Sequence, residues 1–198
     1  MKRLFLIIVL TFLTSSANTV TYNSDPKIFI TELVDDALKI LSEKSTTVDE
    51  KAKGIEKIAI ENVDIKALGM YTLGDLRKSL EQDKLSRYNM AFEKYFLKSL
   101  TSRLSDYSTN KFEVLEAEIK NSNYTIVKSK ITESSDQPEV KIDWRIYTKD
   151  KLKPLIRDLI VEGLSLARTQ KEEFASILNS NNNNVDILIQ KLEEFSKN

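Results

Sequence analysis

The segment Leu155–Leu178, LIRDLIVEGLSLARTQKEEFASIL, decides how the chain folds. Leu155, Ile156, Leu159, Ile160 and Val161 form an apolar run too short and too dense for an amphipathic helix, so it reads as a strand. Glu162 and Gly163 break it, and Gly163, which can adopt backbone angles closed to other residues, is the natural corner. Ser165 then caps a helix whose first turns are Leu166 to Gln170. The sequence predicts that a strand becomes a helix at one glycine.

Upstream, the hydrophobic period is that of strands. Segments 111–119, 124–132 and 139–148 are separated by Asn121-Ser122-Asn123 and by Ser134-Ser135-Asp136-Gln137-Pro138, both turn compositions. In the third strand Val140, Ile142, Trp144 and Ile146 share one face, and Lys141, Asp143 and Arg145 share the other. A sheet with one apolar and one charged face is expected to carry a single covering layer, with the helices of the first half packed on the apolar side.

Those helices are marked by their caps. Asp25 and Pro26 start the first, which presents Ile30, Leu33, Val34, Ala37, Leu38 and Leu41 at three-four spacing. Thr47 and Glu50 form a capping box for the second. Asp64 caps a short third helix that Gly74 stops, and the span 83–103 carries Leu85, Tyr88, Phe92, Tyr95, Phe96 and Leu100 on one stripe. Beyond a polar loop at 179–184, a last helix from Val185 to Phe195 turns Ile187, Leu188, Leu192 and Phe195 inward. Helices, a meander of strands and closing helices give an α+β class with a sheet of about four antiparallel strands.

Met1-Lys2-Arg3, the apolar run Leu4–Leu13 and the small residues Ser15-Ser16-Ala17 predict a secretory signal peptide over 1–17, followed by one domain over 18–198. Ten residues fall short of the ~30 Å hydrocarbon core of a bilayer. The chain contains no cysteine, so neither a disulfide nor a cysteine-linked lipid anchor is available to it. Its 30 basic and 30 acidic residues balance, which argues against nucleic acid as a partner. No histidine is present either. That removes Ser-His-Asp and Cys-His catalysis and the usual zinc ligand sets. Asp158 and Glu162 share strand parity but would stand ~13 Å apart at ~3.3 Å per residue, beyond a glycosidase pair. No catalytic residue, metal or cofactor is expected.

Two groups of residues carry a family resemblance. One is Asp158, Val161-Glu162-Gly163, Ser165-Leu166 and Phe174 to Leu178. The other is Asp64, Leu73-Gly74, Tyr88 and Phe92. Together they resemble the signatures of MlaC, the toluene-tolerance auxiliary family, over roughly Val63 to Leu192. The resemblance implies a periplasmic, monomeric phospholipid carrier, the soluble part of the Mla ABC transport system that maintains outer-membrane lipid asymmetry. It would exchange lipid with an outer-membrane lipoprotein complex and an inner-membrane ABC transporter bearing a substrate-binding ring. The implied scaffold is a curved sheet and helices around a cone-like lipid cavity, with phospholipid as cargo rather than cofactor.

Lifting a diacyl lipid from a membrane exposes about thirty methylenes at ~0.8 kcal/mol each, a cost on the order of 20 kcal/mol that only an enclosing cavity offsets. Alternation and apolarity nominate Leu68, Leu73, Tyr88, Phe92, Phe96, Val114, Ile126, Ile142, Trp144, Ile146, Ile156 and Val161 as its lining. Arg77, Gln170 and Pro154 depart from the family pattern, standing where an aromatic residue is frequent. Two other readings fit the same composition: a periplasmic chaperone or adaptor that binds apolar protein surfaces, and an isomerase or hydrolase, for which no positioned acid-base pair is found.

Overall fold

The computed structural model describes residues 22–104, 111–132 and 139–197. The predicted signal peptide and the turn at 134–138 lie outside the described residues. Helix α1 is Pro26–Ser42 and α2 is Val48–Asn62. As the caps predicted, Asp25 Oδ1 accepts from the amides of Lys27 (2.9 Å) and Ile28 (3.1 Å), and Thr47 with Glu50 closes a capping box. Helix α3 (Ile65–Thr72) is capped by Asp64 and gives way to a short 3-10 segment, Gly74–Lys78, entered through Gly74 at φ +59°. Helix α4 is Gln82–Leu104.

Strands β1 (Lys111–Asn121), β2 (Tyr124–Thr132), β3 (Val140–Tyr147) and β4 (Leu155–Val161) form an antiparallel meander. A two-residue β5 (Leu164–Ser165) makes the sheet five-stranded, in the order β1-β2-β3-β4-β5. The corner after β4 is thus a small hairpin, where a direct step into helix was expected. Glu162 (φ +48°) and Gly163 (φ +81°) both take the left-handed region that a two-residue type I′ turn requires. Glu162 holds its unfavourable angle with help from its carboxylate, which accepts from the Lys141 amide. Helix α5 (Leu166–Asn179) follows, then α6 (Val185–Lys197).

The apolar side chains collect in two places. One cluster is entirely helical: Ile65, Leu73, Tyr88, Phe92, Phe174, Leu178, Leu188 and Leu192 from α3 to α6 and their connections. Gly69 is needed here, since a Cβ on it would come within 2.9 Å of the Phe92 ring. The second cluster lies against the sheet, where Phe29, Ile30 and Leu33 of α1 meet Val127, Ile146 and Ile156.

Register assigns the two faces. Val127 pairs with Trp144 and Thr125 with Ile146 on the face that α1 covers; Ile126 pairs with Arg145 and Lys128 with Asp143 on the other. Among the helices of the first half, α1 packs on the apolar face as expected. The sheet nevertheless has neighbours on both sides, because α3 stands across from the charged face. Where α2 ends, Val63 pairs in parallel with Ile156 and the Asp64 amide donates to the Ile156 carbonyl (2.9 Å). This joint hangs the helical half of the protein on β4.

Candidate functional site

A cleft of about 800 Å³, open to solvent, separates α3 from the charged face of the sheet. Ala67, Leu68, Met70 and Tyr71 of α3 form one wall, with Arg77 beyond them and Ala167 of α5 beside them. The floor is Glu118, Lys120 and Asn121 of β1, Tyr124, Ile126 and Lys128 of β2, Asp143 and Arg145 of β3, and Arg157 and Ile160 of β4. Its volume falls within the ~300–1,000 Å³ of small-molecule sites. At the ~30 Å³ that a water occupies in the liquid, it has room for on the order of 25–30 groups of that size.

Arg157 lines the cleft, and its position follows from a bulge. Arg145 pairs with Asp158 and Ile146 with Ile156, so Arg157 is the extra residue and its side chain turns toward Tyr124 and Tyr147. Nη2 meets Asp64 Oδ2 at 2.7 Å, Nη1 donates to the Tyr124 hydroxyl at 2.8 Å, and the guanidinium carbon lies 3.5 Å from the Tyr147 ring centroid. Burial opposes its charge, but the bonds to Tyr124 and Asp64 outweigh burial and raise its pKa above the ordinary arginine value. Along the floor, the hydrogen bond from Lys120 holds the Glu118 carboxyl below its usual range, and the bond to Glu116 raises the pKa of Lys128.

Asp158 shapes the opposite side. At 3% exposure it accepts from Ser165 Oγ (2.6 Å) and the Ala167 amide (3.0 Å), and Arg145 lies 3.5 Å away. It ties the start of α5 to β4 and so sets where Ala167 meets the cleft. Asp158→Ala would leave a half-buried hydroxyl and amide without their acceptor, and is expected to lower stability by about 2 kcal/mol, with the half-exposed Arg145 adding little. Urea unfolding checks this; a loss below about 1 kcal/mol would mean the joint stands without the carboxylate.

The twelve residues nominated from sequence are distributed among three places. Leu68 and Ile126 line the cleft. Leu73, Tyr88 and Phe92 are buried in the helical cluster, with Phe96 packed against it. The Tyr88 hydroxyl meets Thr72 Oγ1 at 2.7 Å, and burial raises its pKa. Ile146 and Ile156 belong to the cluster under α1, with Val114 and Trp144 packed beside them. Ile142 and Val161 are cross-strand partners, half-buried on the same face.

Alternation identified the apolar face correctly, but α1 fills that face with side chains. The open volume is on the other side. The cleft residues that sequence reading passed over are mostly polar or small: Ala67, Tyr71, Arg77, Tyr124, Arg145, Arg157 and Ala167. The signal for Arg157 was a lone cation inside the densest apolar strand; for the floor, it was the charged half of the alternation. Among the described residues there is no acid-rich or histidine–cysteine group that could hold a metal ion, and no helix long and apolar enough to cross a membrane.

The class of protein defined here is an α+β domain whose open antiparallel sheet is packed by a helix on one face and bounded by a cleft on the other. The family model described as MlaC protein matches residues 31–194, and the chain belongs to that family. A solved structure of the phospholipid-binding protein from Ralstonia solanacearum, in complex with a phospholipid, shares this fold. The TM-score is 0.71 at 16% sequence identity, over 85% of this chain and 94% of that one. No curated protein matches the sequence.

Proposed function

We propose that this protein is a phospholipid carrier rather than an enzyme. It takes up a diacyl lipid in the cleft between α3 and the second face of the sheet. The observation that carries the reading is that cleft, of about 800 Å³ and with Leu68, Ile126 and Ile160 on its walls, in a chain of the MlaC family. Its fold is that of a phospholipid-binding protein solved with lipid bound. Diacyl lipid transfers through water too slowly without a carrier because both tails must leave hydrocarbon together, and a cleft that covers them removes most of that cost.

The carrier operates in the periplasm after removal of the leader at 1–17. There it moves lipid between an outer-membrane lipoprotein complex and an inner-membrane ABC transporter with a substrate-binding ring. The chain acts as a monomer, needs no cofactor, and assigns no residue the part of acid, base or nucleophile.

Native mass spectrometry of protein isolated gently from a bacterial periplasm tests the reading. One phospholipid per chain is expected. Protein that emerges empty, and stays empty after incubation with phospholipid vesicles, would overturn it.

A further inference from the structure

We propose that Arg77 is the phosphate anchor of the cleft and makes it prefer anionic over zwitterionic phospholipids; this rests on the carrier reading above. Five cations line the cleft, and four of them are committed to carboxylates. Lys120 pairs with Glu118, Lys128 with Glu116 (2.8 Å), Arg157 with Asp64 (2.7 Å) and Arg145 with Asp158 (3.5 Å). Arg77 differs. Among the described residues it makes no ion pair, and its one hydrogen bond runs from Nη1 to the carbonyl of Gly74. A guanidinium has five N–H donors in a planar fork, so most of its donors remain available.

The Gly74 bond also positions the group. Gly74 takes φ +59°, turning the chain sharply at the end of α3 and directing its carbonyl to Arg77. The half-buried guanidinium is thereby held at the wall of the cleft, beyond Tyr71.

A second cation stands at the same rim. Lys171 of α5 places its Nζ 5.0 Å from the centroid of the Tyr71 ring, and its Cε lies 3.5 Å from the position that a Cβ on Gly74 would occupy. The nearby acid, Asp75, is almost fully exposed and is engaged by Lys78 at 2.7 Å.

With tails against Leu68, Ile126 and Ile160, a bound lipid brings its phosphodiester to this rim. Its two free oxygens match the guanidinium fork. An ethanolamine headgroup returns a positive charge to the rim and a glycerol headgroup does not, so the surplus charge there separates the two classes. The difference is screened by salt, with a Debye length of ~8 Å at physiological ionic strength.

The test incubates lipid-free protein with vesicles of equal phosphatidylglycerol and phosphatidylethanolamine, and reads total occupancy and lipid ratio by native mass spectrometry. For the wild type, several-fold enrichment of phosphatidylglycerol is expected, declining in high salt. Arg77→Gln should lower the lipid ratio to that of the vesicles, with total occupancy falling because both lipids lose the phosphate contact, and Arg77→Lys should retain part of the enrichment. A wild type that fills without enrichment, or an Arg77→Gln ratio equal to that of wild type, overturns the anchor and leaves the carrier reading standing. A wild type that never fills overturns both. Loss of enrichment when glycerophosphoglycerol or inorganic phosphate is added at the lipid concentration identifies a site for free phosphate and also overturns the anchor.

Discussion

Ile146→Asp is expected to leave the protein unfolded at room temperature, with loss of about 5 kcal/mol or more of stability. Ile146 is 0% exposed, at the centre of the cluster in which α1 lays Phe29, Ile30 and Leu33 on the sheet. Removing a large aliphatic side chain from such a place costs about 2–5 kcal/mol in lost transfer and residual cavity. A carboxylate put there without a partner adds several more, or takes up a proton to escape that cost. Since folded domains are only ~5–15 kcal/mol more stable than their unfolded chains, the sum uses most of the margin. Ile146→Val, which deletes one methylene, should cost about 1 kcal/mol and keep the fold. Circular dichroism and urea unfolding of the two variants read the result. If Ile146→Asp stayed folded and lost only bound lipid, the face under α1 would be a lipid surface that α1 merely overlies.

That alternative is what alternation in the sequence alone suggested, and what alternation leaves open is physical. A period of two states which residues share a face, and it did so for Ile142, Trp144 and Ile146 against Lys141, Asp143 and Arg145. It does not state which face a distant helix will fill. Trp144 illustrates this: its indole Nε1 donates to Ser129 Oγ on the adjacent β2 at 2.9 Å and its ring meets Phe112 of β1, one strand further, edge to face at 6.1 Å. Caps were legible because each is written within four residues, as at Asp25, Thr47 with Glu50, Asp64 and Ser165.

The corner at Gly163 was legible as a break. Its form as a hairpin depended on Glu162 also crossing to positive φ, which a non-glycine residue seldom does. Strand parity alone did not mark Asp158 as buried; it is, because the hairpin brings Ser165 and Ala167 back over it. Arg157 acquires its partners in the same non-local way. Asp64 lies 93 positions away, and the bulge that turns Arg157 toward the cleft is a property of pairing with β3. The cleft was therefore hidden in charged and small residues whose neighbours only the folded chain supplies.

Ala67→Trp is expected to reduce lipid occupancy about tenfold or more while leaving stability within about 1 kcal/mol of wild type. Ala67 is half-buried on the wall of the cleft, in the first turn of α3, and its amide is held by Asp64 Oδ1 at 3.1 Å whatever its side chain. An indole projecting from this position occupies space rather than removing a contact, and it enters open volume, so the packed clusters on either side have no overpacking strain to absorb. Tail methylenes displaced by the ring remain in water at ~0.8 kcal/mol each, so excluding only two of them already weakens binding about tenfold. Occupancy is read by native mass spectrometry after incubation with phospholipid vesicles, and stability by thermal unfolding of the same sample. Unchanged occupancy in a folded Ala67→Trp protein would move the lipid out of this cleft. The helical cluster around Phe92 and Phe174 would then be the next apolar volume to open, with Gly69, whose missing Cβ lets the α3 backbone approach the Phe92 ring, as the seam.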